Sequence, residues 1–407
     1  ALRRARRVLL LAAALVAAIL ATIVLVFAIQ ARVRLPGLRP WHLDAPAGEF
    51  RADARDVTTF EQYRELERRL LAGVRRDLVG DPTRADTFVL GRYNPRSVPA
   101  RLALETSYNL SFELEPEVTR GAAVLVHGLS DSPYAMRGLA DLLRDQGLYV
   151  LALRLPGHGT VPAALLDVDW RDWYAAVDLA ARHAAARAGP DRPLYLGGFS
   201  TGAALTTLYA VRGLEDPSLP RPRRLILLSP AIGIPGAARL TRILSGLSFL
   251  PPFEKSKWIS VTPEYDPYKY NSFPVNAARQ IYDLTRELGA ATTHAHERGL
   301  LGDMPDVLAF QSLVDATISA PEVIRSLFAL LPQRDHELVV FDVNQRDVLR
   351  DMVSPELRIG MDKLRETPAL PFRLLVVTNL ASGSLEVELR LRPAGESAEQ
   401  TLPLDLA

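Results

Sequence analysis

The stretch PLYLGGFSTGAALTTLYAV, residues 193–211, decides the fold. It opens with a short apolar run, breaks at Gly197-Gly198-Phe199-Ser200-Thr201-Gly202, and resumes as an apolar segment of helical composition. The centre is a G-x-S-x-G pattern between a strand and a helix. Such a turn is sharp, tolerates only small neighbours, and lifts the serine hydroxyl clear of the backbone at the top of a sheet. An ordinary glycine-rich strand–helix turn is the bland alternative, but the pattern matches no Walker or dinucleotide fingerprint.

Outward from this turn, apolar runs alternate with helical stretches. Ser107–Glu115 alternates like a strand exposed on one side, followed by AAVLVHG (122–128), YVLALRLPGHG (149–159), RLILLSPA (224–231), DVLAFQSLVD (306–315) and ELVVFDVN (337–344). Between them, Tyr134–Gln146, Trp170–Ala188, Ala203–Arg212 and Glu322–Leu331 read as helices. Near-continuous apolar strands separated by helices predict a mostly parallel sheet covered on both faces. The connection from about 233 to 304 is too long for one crossover and is rich in aromatics and proline, so it is expected to form a cap over the strand ends. Beyond Pro355, FRLLVVTNL (372–380) and SLEVELRLRP (384–393) read as a hairpin turning at Ser382-Gly383.

Two further turns accompany the serine. His127-Gly128-Leu129 ends the strand AAVLV, and a bend there can aim the Leu129 backbone N–H beside that of Thr201. Two such amides form an oxyanion hole, the largest electrostatic contribution to acyl transfer. His127 belongs to this turn and reads as structural, and His158 in Pro156-Gly157-His158-Gly159 reads as a loop brace.

With HGLSDSPYAM, RLPGHG, GGFSTGA, the cap and the acid strand in place, residues 121–344 resemble the α/β-hydrolase family. The resemblance is narrower to its lysophospholipase and monoacylglycerol-lipase-like serine hydrolases. It implies a mostly parallel α/β-hydrolase sheet of about eight strands with a cap insertion, no metal or organic cofactor, and a Ser–acid–His triad in that chain order. Ser200 is the implied nucleophile. Asp315, just after the strand that follows the cap, is the implied acid, which would fix the imidazole tautomer and stabilise the imidazolium; a helix-capping role is its bland alternative. Asp342 and Asp347 are weaker candidates.

Here the sequence departs from the family. The base is expected in a loop after ELVVFDVN, yet no histidine follows His336. His336 precedes that strand, and His294 and His296 precede the acid strand, which places all three at the wrong edge of a parallel sheet. The chain begins with Ala and stops soon after an incomplete-looking β segment, so a fragment of a longer polypeptide is expected, with a catalytically inactive relative as the other account. No base is named.

The composition adds bounds. The 407 residues are 48% hydrophobic with a net charge of +1, which gives no field for nucleic acid, and there are no cysteines for disulfides, thiolate metal sites or a thiol nucleophile. Val8–Ile29 holds 22 residues without a charge. As a helix it would run roughly 33 Å, enough for the ~30 Å hydrocarbon core. Arg3, Arg4, Arg6 and Arg7 precede it and favour a cytoplasmic N-terminus. A cleaved signal peptide is the rival, and either way the remaining chain is exported, to the periplasm or the exterior.

The expected organisation is therefore a transmembrane signal anchor (1–30), then a tether and amphipathic helix (31–105). The α/β-hydrolase domain follows (106–350), with its cap at about 233–304, and then a C-terminal β extension (351–407). Within the second unit, Phe60, Tyr63, Leu66, Leu70 and Val74 share one helical face behind Thr58 or Thr59 as cap. The expected activity is ester hydrolysis, on a lipid or other amphiphilic ester. The alternatives are an acyltransferase on the same site, a proteolytic enzyme, or an inactive membrane-anchored binding module.

Overall fold

A computed structural model describes residues 35–104, 108–232, 251–313, 320–342, 369–380 and 386–404, with isolated positions within 10–22 and at 364 and 367. Among the described residues no helix is long and apolar enough to cross a membrane. Most of Val8–Ile29 lies outside them.

The strands are β1 (Phe112–Leu114), β2 (Gly121–Val126), β3 (Leu148–Leu153), β4 (Leu194–Phe199), β5 (Arg224–Leu228), β6 (Trp258–Ser260), β7 (Phe273–Pro274), β8 (Asp306–Ser312), β9 (Glu337–Asp342), β10 (Arg373–Asn379), β11 (Val387–Arg392) and β12 (Gln400–Leu404). Ten of them form one sheet in the order β1-β3-β2-β4-β5-β8-β9-β10-β11-β12. The seven from β3 to β10 run parallel, and β1, β11 and β12 add antiparallel pairings at the two edges.

The expectation of about eight strands is thus exceeded by two. The hairpin read at 372–393 is present as β10 and β11, but it extends the main sheet. β10 pairs in parallel with β9, Arg373 opposite Glu337 through Thr378 opposite Asp342.

The helices that matter are α1 (Pro40–Leu43), α2 (Phe60–Val74), α3 (Val98–Leu104), α4 (Arg137–Asp145), α5 (Trp170–Ala188), α6 (Thr201–Arg212), α7 (Val275–Glu297) and α8 (Ala320–Ser326). Both faces of the sheet are covered at β2 and β3, which is why their side chains are apolar but for the Tyr149 hydroxyl, which donates to Glu113. Ala122, Val124 and Val126 of β2 enter the main core with α5 and α6, while Ala123 and Leu125 face Met136 and Ala140 at α4 on the other side. Period-two alternation sends successive side chains to opposite faces, so a strand buried twice must be apolar throughout.

One expectation about the flanking segments changes. The second half of the long insertion is not lid. Val275–Glu297 is a 23-residue crossover helix whose Ala277, Leu284, Leu288 and Ala295 are buried in the main core. The segment before the sheet is a layer of the same body. Thr59 caps α2 by accepting from Gln62 N, and Phe60, Tyr63, Leu66 and Leu70 sink into the main core.

Candidate active site

Ser200 sits between β4 and α6 with φ 52° and ψ −109°, a backbone region that side chains avoid. Packing holds it there. Its N–H donates to Leu228 O at 2.9 Å, and its carbonyl accepts from Ala204 N and Ala231 N, each at 3.1 Å. The flanking glycines are obligatory. A Cβ on Gly198 would meet Gly202 C at 2.3 Å, and one on Gly202 would meet Val126 O at 2.1 Å. The serine is half-buried at the carboxyl edge of the sheet. Among the described residues nothing hydrogen-bonds its hydroxyl.

The turn after β2 lies against this one. A Cβ on Gly128 would meet Phe199 Cδ1 at 2.8 Å and Asp131 Oδ2 at 2.7 Å. Ser130 takes φ 67°, and Asp131 N donates to Gly128 O at 3.2 Å. Among the described residues, the backbone N–H groups of Leu129 and Thr201 have no acceptor. For Thr201 this follows from its place at the first position of α6, where helical amides are orphans. The structure therefore brings Ser200, Leu129 and Thr201 to neighbouring turns. Asp315 lies outside the described residues, as does Asp347, while β8, the strand before Asp315, is in place beside β5.

The turn is braced from the insertion, which the sequence does not disclose. Tyr270 N donates to Ser130 O at 2.8 Å. Tyr270 Oη accepts from Thr160 N at 2.7 Å and donates to Gly157 O at 3.1 Å. Lys269 Nζ stands 3.7 Å from Asp131 Oδ1. Burial pushes the Asp131 carboxyl up, with Lys269 opposing. These residues lie within PEYDPYKYNSF, where no spacing distinguishes them from other loop aromatics.

All seven histidines of the chain fall at described positions, and none hydrogen-bonds Ser200. His127 donates from Nδ1 to Gly128 O at 2.8 Å and accepts at Nε2 from Leu155 N at 3.1 Å, so both ring nitrogens are used. Burial, with His158 nearby, pushes its pKa well down. His158 donates to Pro156 O and packs against His127, Trp173 and Tyr270; burial takes it down to about 3. Both are braces of their loops.

His336 lies at the amino end of β9, where its Nδ1 accepts from Val307 N at 3.1 Å; burial lowers it to about 4. His294 and His296 end α7, and His294 stands 3.7 Å from Glu215, beyond the far end of α6 from Ser200. His183 contacts Glu113 and Tyr149, and His42 contacts Ser272. Among the described residues no group of three or more His, Asp and Glu side chains is placed to hold a metal ion.

The family model described as "Alpha/beta hydrolase family" matches residues 123–369. Over 126 residues the chain is 31% identical to the thermostable monoacylglycerol lipase of a Bacillus species. That match covers 30% of this chain and 49% of the enzyme, so the chain spans about half the length of the curated relative it matches. Among solved structures, a metagenome-derived lipolytic enzyme is similar at 20% identity and TM-score 0.46, over 64% of this chain and 98% of its own. The monoacylglycerol lipase of Paleococcus ferrophilus follows at 21% identity and TM-score 0.42, over 57% and 87%. A soluble variant of the Saccharomyces cerevisiae monoglyceride lipase has 17% identity and TM-score 0.41, over 56% and 81%. With the family match running from β2 across the serine turn and past β9, more than half its length, the chain belongs to the alpha/beta hydrolase family.

Proposed function

We propose that this chain is a membrane-tethered serine hydrolase that cleaves carboxylic esters through an acyl-enzyme on Ser200. The observation that carries the reading is the backbone of Ser200, held at φ 52° and ψ −109° by two glycines and three backbone hydrogen bonds. Such a conformation costs about 1–3 kcal/mol. The hydroxyl gains no described partner in return, so exposure of the nucleophile is the return that remains.

In the proposed reaction the Ser200 Oγ–H bond breaks as Oγ bonds the acyl carbon, and the proton passes to a base. The Leu129 and Thr201 amides hold the developing oxyanion. The alcohol leaves with that proton, and water then attacks the acyl-enzyme, releases the carboxylic acid and restores Ser200. Asp315 is assigned to orient the base. The identity with a monoacylglycerol lipase favours a lipid or other amphiphilic ester as substrate. An anchor at residues 8–29 would hold the domain on the exported side, close to such a substrate.

One observation favours a second reading. The seven histidines are engaged in their own loops or lie away from Ser200, so an inactive binding module that keeps the fold is the alternative. Fluorophosphonate labelling separates the two, applied to this chain and to the product of the complete reading frame, each with its Ser200→Ala variant and read by intact mass. A single adduct that the variant lacks, in either protein, supports the hydrolase. An adduct on this chain would assign the base to a group within it. No adduct in either protein would leave the binding module.

A further inference from the structure

A second surface lies on the side of the insertion, around the first described residues. Leu35 is tied down by Lys255, whose Nζ donates to Leu35 O at 2.8 Å. From there Pro36, Leu38 and Trp41 line a cleft of about 420 Å³, closed by Phe88, Val261 and Pro263. Trp41 is 3% exposed, yet its indole N–H has no partner among the described residues. The positions flanking these walls turn apolar side chains to the outside. Leu43 is 48% exposed, Val89 73%, Leu90 54% and Ile259 49%, beside Phe88 at 40%. β6 shows why this is a surface and not loose packing, since Trp258 points in and is buried while its neighbour Ile259 points out. Arg39, Lys255 and Lys257 stand along the same elements. Asp44, Asp86 and Glu254 stand among them, so the border carries both signs of charge and it is the exposed apolar side chains gathered round one cleft that are unusual on a free surface.

The sequence supplies the occupant. The uncharged run Val8–Ile29 ends six residues before Leu35. Six residues span at most about 20 Å of extended chain. The headgroup layer on each side of the hydrocarbon core is roughly 5–8 Å thick. A domain pinned by Leu35 to an anchor that short holds the nearest face within reach of the lipid. Exposed apolar side chains held that close to lipid are what an interfacial surface needs, since the headgroup and acyl boundary can bury them.

We infer that the face formed by Leu43, Phe88-Val89-Leu90 and Ile259 docks on the bilayer surface, with the cleft at Trp41 opening toward the headgroups. It rests on the anchor reading given above and adds that the domain lies on the membrane in one orientation. The insertion that carries Ile259 and Val261 also carries Lys269 and Tyr270, which brace the turn beside Ser200. The docked face therefore shares an element with the site.

The natural absence of cysteine makes the test direct. Single Leu43→Cys, Val89→Cys and Val118→Cys variants of the full chain are labelled with an environment-sensitive fluorophore and reconstituted into phosphatidylethanolamine–phosphatidylglycerol vesicles. Val118, 66% exposed between β1 and β2, is the control at the amino end of the strands, whereas Trp41 packs on the loop that follows the carboxyl end of β3. Labels at 43 and 89 are expected to shift to the blue and lose emission when a lipid-borne quencher is added, and the label at 118 to do neither. Flotation of the vesicles, with resistance to alkaline extraction, reports the anchor separately. If the protein floats and resists extraction while labels 43 and 89 report water, the docking is overturned and the anchor stands. If it does not float, the anchor reading fails and the docking falls with it. Labels that are dry but insensitive to the lipid-borne quencher would assign the face to protein contact and also overturn the inference.

Discussion

At the scale of single residues, Ser200 and Gly202 make opposite predictions. Ser200→Gly removes the side chain from a backbone region where glycine is at ease, so it is expected to raise stability by about 1 kcal/mol while abolishing the fluorophosphonate adduct. Gly202→Ala forces a Cβ to 2.1 Å from Val126 O and is expected to cost about 3 kcal/mol. Denaturant midpoints check both, and an unchanged midpoint for Gly202→Ala would mean the turn does not lie against β2. The sequence shows this turn because its constraints are local: five consecutive residues carry them. It does not show the buried cation opposite. Arg154, with a fully buried side chain, binds Glu49 at 2.8 and 3.0 Å and Glu67 at 3.1 Å, partners far apart in the chain and with no spacing rule to join them. One cation cannot satisfy two carboxylates equally. Burial would push Glu49 up, but Arg154 and the Gly157 and Phe50 amides hold it below its usual value; for Glu67 burial prevails and takes it from 4.5 to about 7. A carboxyl raised in the folded state keeps its proton longer than the unfolded chain does, so Glu67 subtracts stability as pH climbs from 4.5 to about 7. Glu67→Gln should flatten that decline, by at most about 3 kcal/mol between pH 5 and 8. Glu49 has the opposite sign: it adds stability above its unfolded pKa and loses it in acid, so Glu49→Gln should be costly at pH 8 and mild at low pH. Urea unfolding across that range reads both, and parallel curves for the two variants would refute the assignment.

At the scale of elements, β2 and β3 of the parallel core were legible because a strand buried on both faces must be an apolar run, whatever it packs against. What was not legible depends on where an element goes. The apolar positions Leu284, Leu288 and Ala295 of α7 are present in the sequence, but a helix within a long insertion reads as lid until its partner is known to be α6. The C-terminal hairpin likewise has its turn and alternation in the sequence, while its parallel pairing with β9 does not. The loop carrying Lys269 and Tyr270 belongs to this class, since it meets the turn after β2 only through the fold. Tyr270→Phe would leave the buried Thr160 N–H and Gly157 carbonyl without their partner, at a cost of about 1–3 kcal/mol. Because the same loop holds Ser130 O, the variant is also expected to slow labelling of Ser200. A loss of stability with an unchanged labelling rate would show that the brace serves the loop alone.

At the scale of the whole molecule, residues 35–104 are a structural layer of the hydrolase body. Phe60, Tyr63, Leu66 and Leu70 of α2 complete the core over α5, and Tyr63 Oη donates to Arg154 O at 2.7 Å. Trp41, Leu71, Val74 and Leu78 form a second core with Tyr93, Val161 and Ala164, closing over the loop after β3. Both carboxylates that neutralise Arg154 come from this layer. Removing it would leave an uncompensated buried cation, a loss of about 3–5 kcal/mol, and would expose several large apolar side chains at roughly 1.5–3 kcal/mol each. Domains are stable by only about 5–15 kcal/mol. A chain starting at residue 108 is therefore expected to be insoluble or to lack a cooperative melt, and co-expression of residues 31–104 should restore soluble protein with the two pieces co-purifying. The decisive measurement is the thermal melt of the 108–407 chain by far-ultraviolet circular dichroism. A sharp transition in that chain alone would mean the layer is a tether after all, and that Arg154 finds its counter-charge elsewhere. Failure to fold without the layer, and recovery with it, would mean that the layer carrying the Trp41 cleft and the serine turn form one cooperative unit.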